Sequence, residues 1–202
     1  RGGALLRDPE RATAIVESVV ANTSRPVTVK MRCGWCPEEG PIALDLAPRL
    51  AAAGAAGITL HPRYVTQLYR GRANWLYISE LAHALDVPVI GSGDLHTAVD
   101  ALNMMAETRC AAVAFARGAL GNPWVFREAL ARLEGRAPLP PPGREEIEVA
   151  IREHCRLAVE LGSWPAEHHV MRRLMPRYLR GLAGKKDLLR DLALVRTQEQ
   201  WI

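Results

Sequence analysis

Several residue types and patterns are scarce in this 202-residue chain. Aromatic residues make up 5% of it, and no run approaches the ~18 consecutive apolar residues that a membrane-spanning helix needs, which excludes a membrane span. Four cysteines are too few for a disulfide scaffold, so the default location is a reducing cytoplasm. Apolar residues reach 49%, which excludes a fully disordered chain. The formal charge of +4 is compatible with a polyanionic partner but does not demonstrate one.

The beginning of the chain is unusual. Residue 1 is Arg1 rather than methionine, and the residues that follow lack the long apolar core of a signal peptide. We therefore expect the chain to be a segment of a longer polypeptide.

The first 135 residues alternate short apolar runs with amphipathic helical patterns. The predicted strands are 26–30, 57–61, 88–91 and 111–115, and the predicted helices are 9–21, 42–53, 75–85 and 97–107. Gly54 is expected to end the second helix and Thr97 to cap the fourth. Short continuous apolar strands are typical of a parallel sheet buried on both faces, and this alternation predicts an α/β fold.

Polar residues follow the C-terminal ends of all four predicted strands. They are Lys30 and Arg32, His61 and Arg63, Ser92 and Asp94, and Arg117. Polar groups at four successive strand ends are typical of the catalytic rim of an α/β barrel, whereas a doubly wound sheet usually binds its ligand at one switch point. Since a barrel has eight βα units, the four found here predict half of one.

The composition changes after Gly135. A proline-rich linker is predicted at 137–145, between a partial barrel at 1–136 and an all-helical domain at 146–202. The helical region contains a cluster of seven positive charges against the single negative charge of Asp187: Arg172, Arg173, Arg177, Arg180, Lys185, Lys186 and Arg190. The positive charge of the chain is therefore concentrated here.

The strand-end residues are candidates for a binding site. Taken alone, Lys30 is explained as well by a structural lysine at the sheet rim as by a binding site. Taken alone, His61 is more often a structural histidine held by hydrogen bonds. Titratable or cationic groups on two successive strands favour a site instead. The turns at 91–94 and 116–118 contain small residues that let backbone N–H groups approach a phosphate, as the last two strands of many barrels do.

The C-x-x-C pattern of Cys33 and Cys36 invites a redox or zinc interpretation. A redox pair needs a helix N-terminus, but helical periodicity begins only at Ile42. Zinc needs two further ligands, and the sequence has no second C-x-x-C. We therefore expect no metal site, with Cys110 and Cys155 serving as packing residues.

Taken together, the motifs resemble the tRNA-dihydrouridine synthase family, nearest its bacterial B-type branch. The motifs are LLRDP (5–9), PVTVKMR (26–32), HPR (61–63), YRGRANW (69–75), PVIGSGD (88–94), RGALGNPWVF (117–126) and YLRG (178–181). The resemblance covers nearly the whole chain and implies the C-terminal half of a TIM barrel followed by a helical tRNA-binding domain. It also implies a cytoplasmic enzyme with no obligatory protein partner.

The resemblance implies an FMN-dependent enzyme that uses NADPH to reduce particular tRNA uridines to dihydrouridine. Residues implied to bind FMN are Lys30 and His61 at the flavin, and Ser92, Gly93, Asp94, Ala116 and Arg117 at its phosphate. Residues implied to meet tRNA are Arg63 near the target base, and Arg172, Arg173, Arg177 and Arg180 at the backbone. The target base must leave its stack to reach a flavin inside a barrel.

The sequence departs from the family pattern in several places. Ser92, Ala116 and Pro62 stand where asparagine, glycine and glycine are usual, and Arg172-Arg173-Leu174 replaces Arg-Lys-His. The family's proton-donating cysteine lies upstream of the position that Arg1 occupies, so we expect this polypeptide alone to be inactive. Two alternatives stay open: a small-molecule FMN oxidoreductase of the dihydroorotate type, and a non-enzymatic RNA-binding remnant.

Overall fold

The computed structural model describes residues 2–161 and 166–192. The chain divides into two compact units, Arg1–Gly118 and Ala119–Ile202, and each is described by itself. The domain boundary predicted at the proline-rich segment stays a prediction. Within the described residues, no helix is both long and apolar enough to cross a bilayer.

The first unit contains a four-stranded parallel sheet. Its strands are β1 (Thr28–Arg32), β2 (Gly57–His61), β3 (Val89–Ser92) and β4 (Ala112–Ala114). The strands lie side by side in chain order. Sequential parallel strands joined by helices are the βα repeat of a barrel, so the half-barrel prediction is confirmed.

Helices alternate with these strands. They are α1 (Pro9–Ala21), α2 (Ala43–Ala52), α3 (Leu76–Ala84) and α4 (Ala98–Thr108), and a 3₁₀ segment, Gly2–Arg7, precedes α1. The predicted cap of α4 is confirmed, because the Thr97 side chain accepts a hydrogen bond from the Asp100 N–H while Asp100 accepts one from the Thr97 N–H. Gly54 follows α2 with φ of 97°, a conformation that favours glycine.

The two faces of the sheet differ in burial. Met31, Ile58, Leu60 and Val89 point to one face and are buried in the core with residues of the helices. The alternate positions point to the other face, where Lys30 is exposed and Arg32, Thr59 and His61 are half-buried. This result differs from the predicted burial on both faces: one layer of helices covers one face, and the charged side chains occupy the other.

The second unit is helical. Its helices are α5 (Val125–Leu133), α6 (Arg144–Glu160), α7 (Ala166–Tyr178) and α8 (Lys185–Leu192). Their core includes Ile147, Cys155, Met171 and Met175. Pro176 lies inside α7. The helical region predicted from the sequence is thereby confirmed.

Candidate functional site

The open face of the sheet brings cationic and titratable side chains together. Arg32 pairs in register with His61, and Lys30 with Thr59 two residues earlier. Paired residues of parallel strands point to the same face, so Lys30, Arg32 and His61 share the side opposite the helices. A cavity of about 810 Å³ borders β1, but its lining is mainly apolar and includes Ile15 of α1 and Leu46 of α2 beside Lys30 and Arg32, so it lies largely on the helix side of the strand and not on the charged face. The face suits an electron-rich or anionic ligand.

His61 is a neutral imidazole in this environment. Burial lowers its pKa to about 4, and the positive charges of Arg32, Lys30 and Arg63 add to the effect while Asp94 opposes it. A ring that is neutral at pH 7 has one N–H donor and one acceptor nitrogen. His61 therefore offers directional hydrogen bonding, whereas Lys30 and Arg32 supply charge.

The turn after β3 approaches His61 closely. Gly93 has φ of 113°, and a Cβ placed on it would lie 2.9 Å from His61 Cδ2 and 2.9 Å from the Ala73 Cβ. The Trp75 indole N–H donates to the Gly93 carbonyl at 3.1 Å. Only glycine fits this position, which leaves backbone accessible beside the imidazole.

Asp94 binds arginine instead of presenting a free carboxylate. Arg63 Nη2 lies 2.6 Å from Asp94 Oδ1 and 2.8 Å from Oδ2, and the Ala73 N–H donates to Oδ2 at 2.8 Å. Burial pushes the pKa of Asp94 upward, but the Ala73 N–H and the charges of Arg63 and Arg117 outweigh it and hold the pKa below its usual value. A phosphate could approach Asp94 only through its backbone, because the side chain is an anion.

Arg63 is buried at the base of this cluster. Only 2% of its side chain is exposed, and Nη2 also donates to the Gly71 carbonyl at 2.8 Å. The resemblance implied a role near the target base, whereas the structure places the guanidinium against Asp94 and beneath the loop that follows β2. The sequence offered no direct signal for this pairing, since the two residues are 31 positions apart.

Tyr69 is a residue that the sequence reasoning did not single out. Its side chain is 60% exposed, with the guanidinium carbons of Arg117 and Arg32 at 4.8 and 5.9 Å from the ring centroid. Arg32 Nη1 also donates to the carbonyls of Tyr64 and Leu68 at 2.9 and 3.1 Å. The available signal was the aromatic residue at the head of the 69–75 motif. An aromatic ring between two arginines is suited to stacking on a planar group.

The other predicted phosphate residues follow β3 and β4. Ser92 pairs in register with Ala114 and is buried. Ala116 is exposed, and Arg117 Nη2 lies 3.4 Å from Asp94 Oδ1. Arg117 therefore lies beside the turn that contains Gly93.

The predicted tRNA-binding arginines lie in the helical unit. Arg172, Arg173 and Arg177 are exposed residues of α7, and Arg180 is exposed just after its end. Positive charge on an exposed helix surface is the electrostatic requirement for binding a phosphate backbone.

The cysteines differ in burial, and Cys36 is only half-buried. Cys33 is fully buried in the core, and burial raises its pKa to about 11. Cys110 approaches Gly91 from the helix side, and Cys155 lies in the helical core. None of the four cysteines forms a disulfide bond, and the described residues contain no cluster of metal-ligating side chains.

The fold and its charged strand-end residues define a partial TIM barrel joined to a helical region. Comparison with known proteins supplies the family, because the dihydrouridine synthase (Dus) model matches residues 1–201. The chain belongs to the dihydrouridine synthase family.

The curated relatives are consistent with this assignment. A probable tRNA-dihydrouridine synthase of Treponema pallidum is 40% identical over 194 residues, covering 91% of this chain and 56% of the relative. One of Mycobacterium leprae is 38% identical over 179 residues, covering 88% and 46%. One of Synechocystis sp., named probable tRNA-dihydrouridine synthase 1, is 44% identical over 128 residues, covering 63% and 36%. The chain spans about half the length of the first two relatives.

Proposed function

We propose that this chain supplies the C-terminal part of an FMN site, together with a tRNA-binding surface, for the NADPH-dependent reduction of tRNA uridines to dihydrouridine. The observation that carries the proposal is the open sheet face, where Lys30, Arg32 and His61 lie together. The family and the names of the relatives support the reaction.

The residues present fit a flavin nucleotide. The glycine at position 93 leaves backbone beside His61, with Arg117 drawn toward the same turn. Bound FMN would supply the hydride that reduces the uracil ring. Lys30 and Arg32 would hold negative charge on the isoalloxazine, His61 would orient it by hydrogen bonding, and Arg117 with the backbone of the turn would hold the phosphate.

The helical unit would bind the rest of the tRNA. Arg172, Arg173, Arg177 and Arg180 would contact phosphates, which fixes the position of the RNA without reading its sequence. The uridine would have to leave its stack to meet a flavin, and Tyr69 between its two arginines would be placed near the opening of the site. The reaction is assigned to the cytoplasm.

The first prediction concerns FMN binding by this polypeptide. Lys30→Met is expected to weaken it about tenfold or more, since a charge-assisted contact to the flavin is lost. The matched control is Lys185→Met, which removes an exposed lysine from α8 and is expected to leave the affinity unchanged. Titration followed by flavin fluorescence measures both. No binding by the parent chain, or an equal effect of both substitutions, would contradict the proposal.

The second prediction concerns tRNA. Arg180→Gln is expected to reduce the slope of log affinity against log salt by about one unit, because one phosphate contact is lost. Arg25→Gln, at an exposed position outside the helical unit, is the control and is expected to preserve the slope. Fluorescence anisotropy with labelled tRNA gives the values. A small-molecule oxidoreductase would show no salt-dependent tRNA binding, and an RNA-binding remnant would bind tRNA but not FMN.

We also propose that the polypeptide alone does not turn over. The family's mechanism, as the resemblance implies it, needs a cysteine that protonates the uracil ring, and none of the four cysteines here occupies the place of that cysteine in the family's motif. Formation of dihydrouridine in tRNA incubated with this chain, FMN and NADPH would overturn this proposal.

A further inference from the structure

Arg63 is buried and held by several contacts in the loops that follow β2 and β3. Its side chain is 2% exposed, and Nη2 reaches both oxygens of Asp94 and the Gly71 carbonyl. Its Nε has no hydrogen-bond partner and is shielded from solvent. An unsatisfied buried N–H is unfavourable, so the remaining contacts of the guanidinium must offset this cost.

One of the remaining contacts is to His61. Arg63 Nη1 lies 3.4 Å from His61 Nε2, a long hydrogen bond at the outer limit for such a contact. Gly93 borders the same edge of the ring, because a Cβ there would lie 2.9 Å from His61 Cδ2 and 3.3 Å from Nε2. The edge formed by Cδ2 and Nε2 is therefore in contact with both Gly93 and Arg63.

A guanidinium cannot accept a hydrogen bond, since every nitrogen of arginine carries only donors. A neutral histidine facing it through Nε2 must therefore keep that nitrogen unprotonated, which puts the proton on Nδ1. The opposite tautomer would direct two N–H groups at each other. Arg63 thus selects one of the two neutral forms of His61.

The same guanidinium also joins two loops of the rim. Through Asp94 it reaches the turn after β3, and through the Gly71 carbonyl it reaches the loop after β2. Asp94 completes the link by accepting from the Ala73 N–H. This is the loop that contains Tyr69. Movement of Arg63 would release the loop and the imidazole together.

We propose that Arg63 is a positioning residue: it holds His61 as the Nδ1–H tautomer, leaving that N–H as the ring's donor toward the flavin, and it anchors the loop of Tyr69 through Asp94. The identity of the ligand in this proposal rests on the proposed function. The tautomer of His61 is a property of the chain itself and can be tested without that function. Arg63 acts through His61 and Asp94 and does not touch the reacting atoms.

The test is nitrogen NMR of the 202-residue chain labelled with ¹⁵N-histidine, without flavin or tRNA. A long-range ¹H–¹⁵N correlation spectrum separates the two tautomers, because an unprotonated ring nitrogen resonates far downfield of a protonated one. The chain has six histidines, so His61→Gln identifies the signals of interest. We expect Nε2 to be the unprotonated nitrogen. A spectrum with the proton on Nε2 would overturn the proposal.

Two variants separate positioning from a merely structural role. Arg63→Met removes the donors and is expected to shift His61 toward the Nε2–H form. Arg63→Lys retains a group that only donates and is expected to restore the Nδ1–H signature. Arg132→Met, in the helical unit, is the control and leaves the His61 signals unchanged. An unaltered tautomer in folded Arg63→Met would contradict the proposal.

If Arg63→Met does not fold, Asp94→Asn provides the second measurement. It weakens the charge that holds the guanidinium, and the proportion of the Nδ1–H form is expected to fall; no change would count against the proposal. The proposed function fails separately, since absence of FMN binding leaves the histidine spectrum intact.

Discussion

Gly118→Ala is expected to destabilise the barrel unit by about 3 kcal/mol or more, the upper range for a single substitution that overpacks a buried site. A Cβ at this position would lie 2.2 Å from the Leu95 carbonyl oxygen and 2.9 Å from His96 Cα. Both atoms belong to backbone, so no side-chain rotation can relieve the clash. The turn after β4 and the loop after β3 must separate, and urea denaturation should show a lower free energy of unfolding.

Gly91→Ala provides the matched comparison. The added Cβ would lie 2.4 Å from the Met104 sulfur, which belongs to a flexible side chain that can shift. A smaller loss of stability is expected than for Gly118→Ala. If the two substitutions cost the same, backbone contact would not be the cause. FMN binding should fall with Gly118→Ala, because Arg117 precedes the distorted residue.

The second large effect is a pH dependence of stability caused by His61. Its pKa is about 4 in the folded chain against an ordinary value of 6.5. Between these values the unfolded chain binds a proton that the folded chain does not, so the free energy of unfolding falls as the pH is lowered from about 6.5 to 4. Because the ring is only partly buried, we expect a loss of about 2 kcal/mol rather than the full value of the shift.

The contribution of His61 to the pH dependence of stability is obtained by comparing the parent chain with two variants. His61→Gln is expected to flatten the dependence over this range, and His83→Gln, at an exposed position of α3, is expected to keep that of the parent chain. Denaturation midpoints at a series of pH values provide the measurement. Carboxylates with lowered pKa, including Glu38 and Asp94, contribute at lower pH and cancel in the comparison. Parallel curves for parent and His61→Gln would contradict the assignment.

Local signals predicted much of the fold. The predicted helix 9–21 agrees with α1. Thr97 caps α4 as predicted, in a capping box with Asp100 three positions later. Strand ends moved by up to two residues, since the first strand was predicted at 26–30 and β1 spans Thr28–Arg32. Periodicity identifies apolar residues, whereas a strand end is decided by pairing with its neighbour, here His61.

The site was less accessible to sequence reasoning. The positions of Lys30 and His61 at strand ends follow from the predicted strands, whereas their common face follows from the register of β1 and β2, which the sequence reasoning did not predict. The Arg63–Asp94 pair follows from neither, because it joins two loops 31 residues apart and depends on the three-dimensional course of both. The exposed position of Tyr69 is likewise set by a loop whose sequence has no periodic pattern.

In strand β1 the charged Lys30 and the apolar Met31 are adjacent in sequence and point to opposite faces of the sheet. Inserting or deleting one amino acid before Lys30, with the pairing to β2 retained, would exchange the places of Lys30 and Met31. The ammonium group would then enter the apolar core, and the thioether would take its place on the face that carries His61. This segment should accordingly accept no change of length, so among natural variants gaps should be confined to the connecting loops.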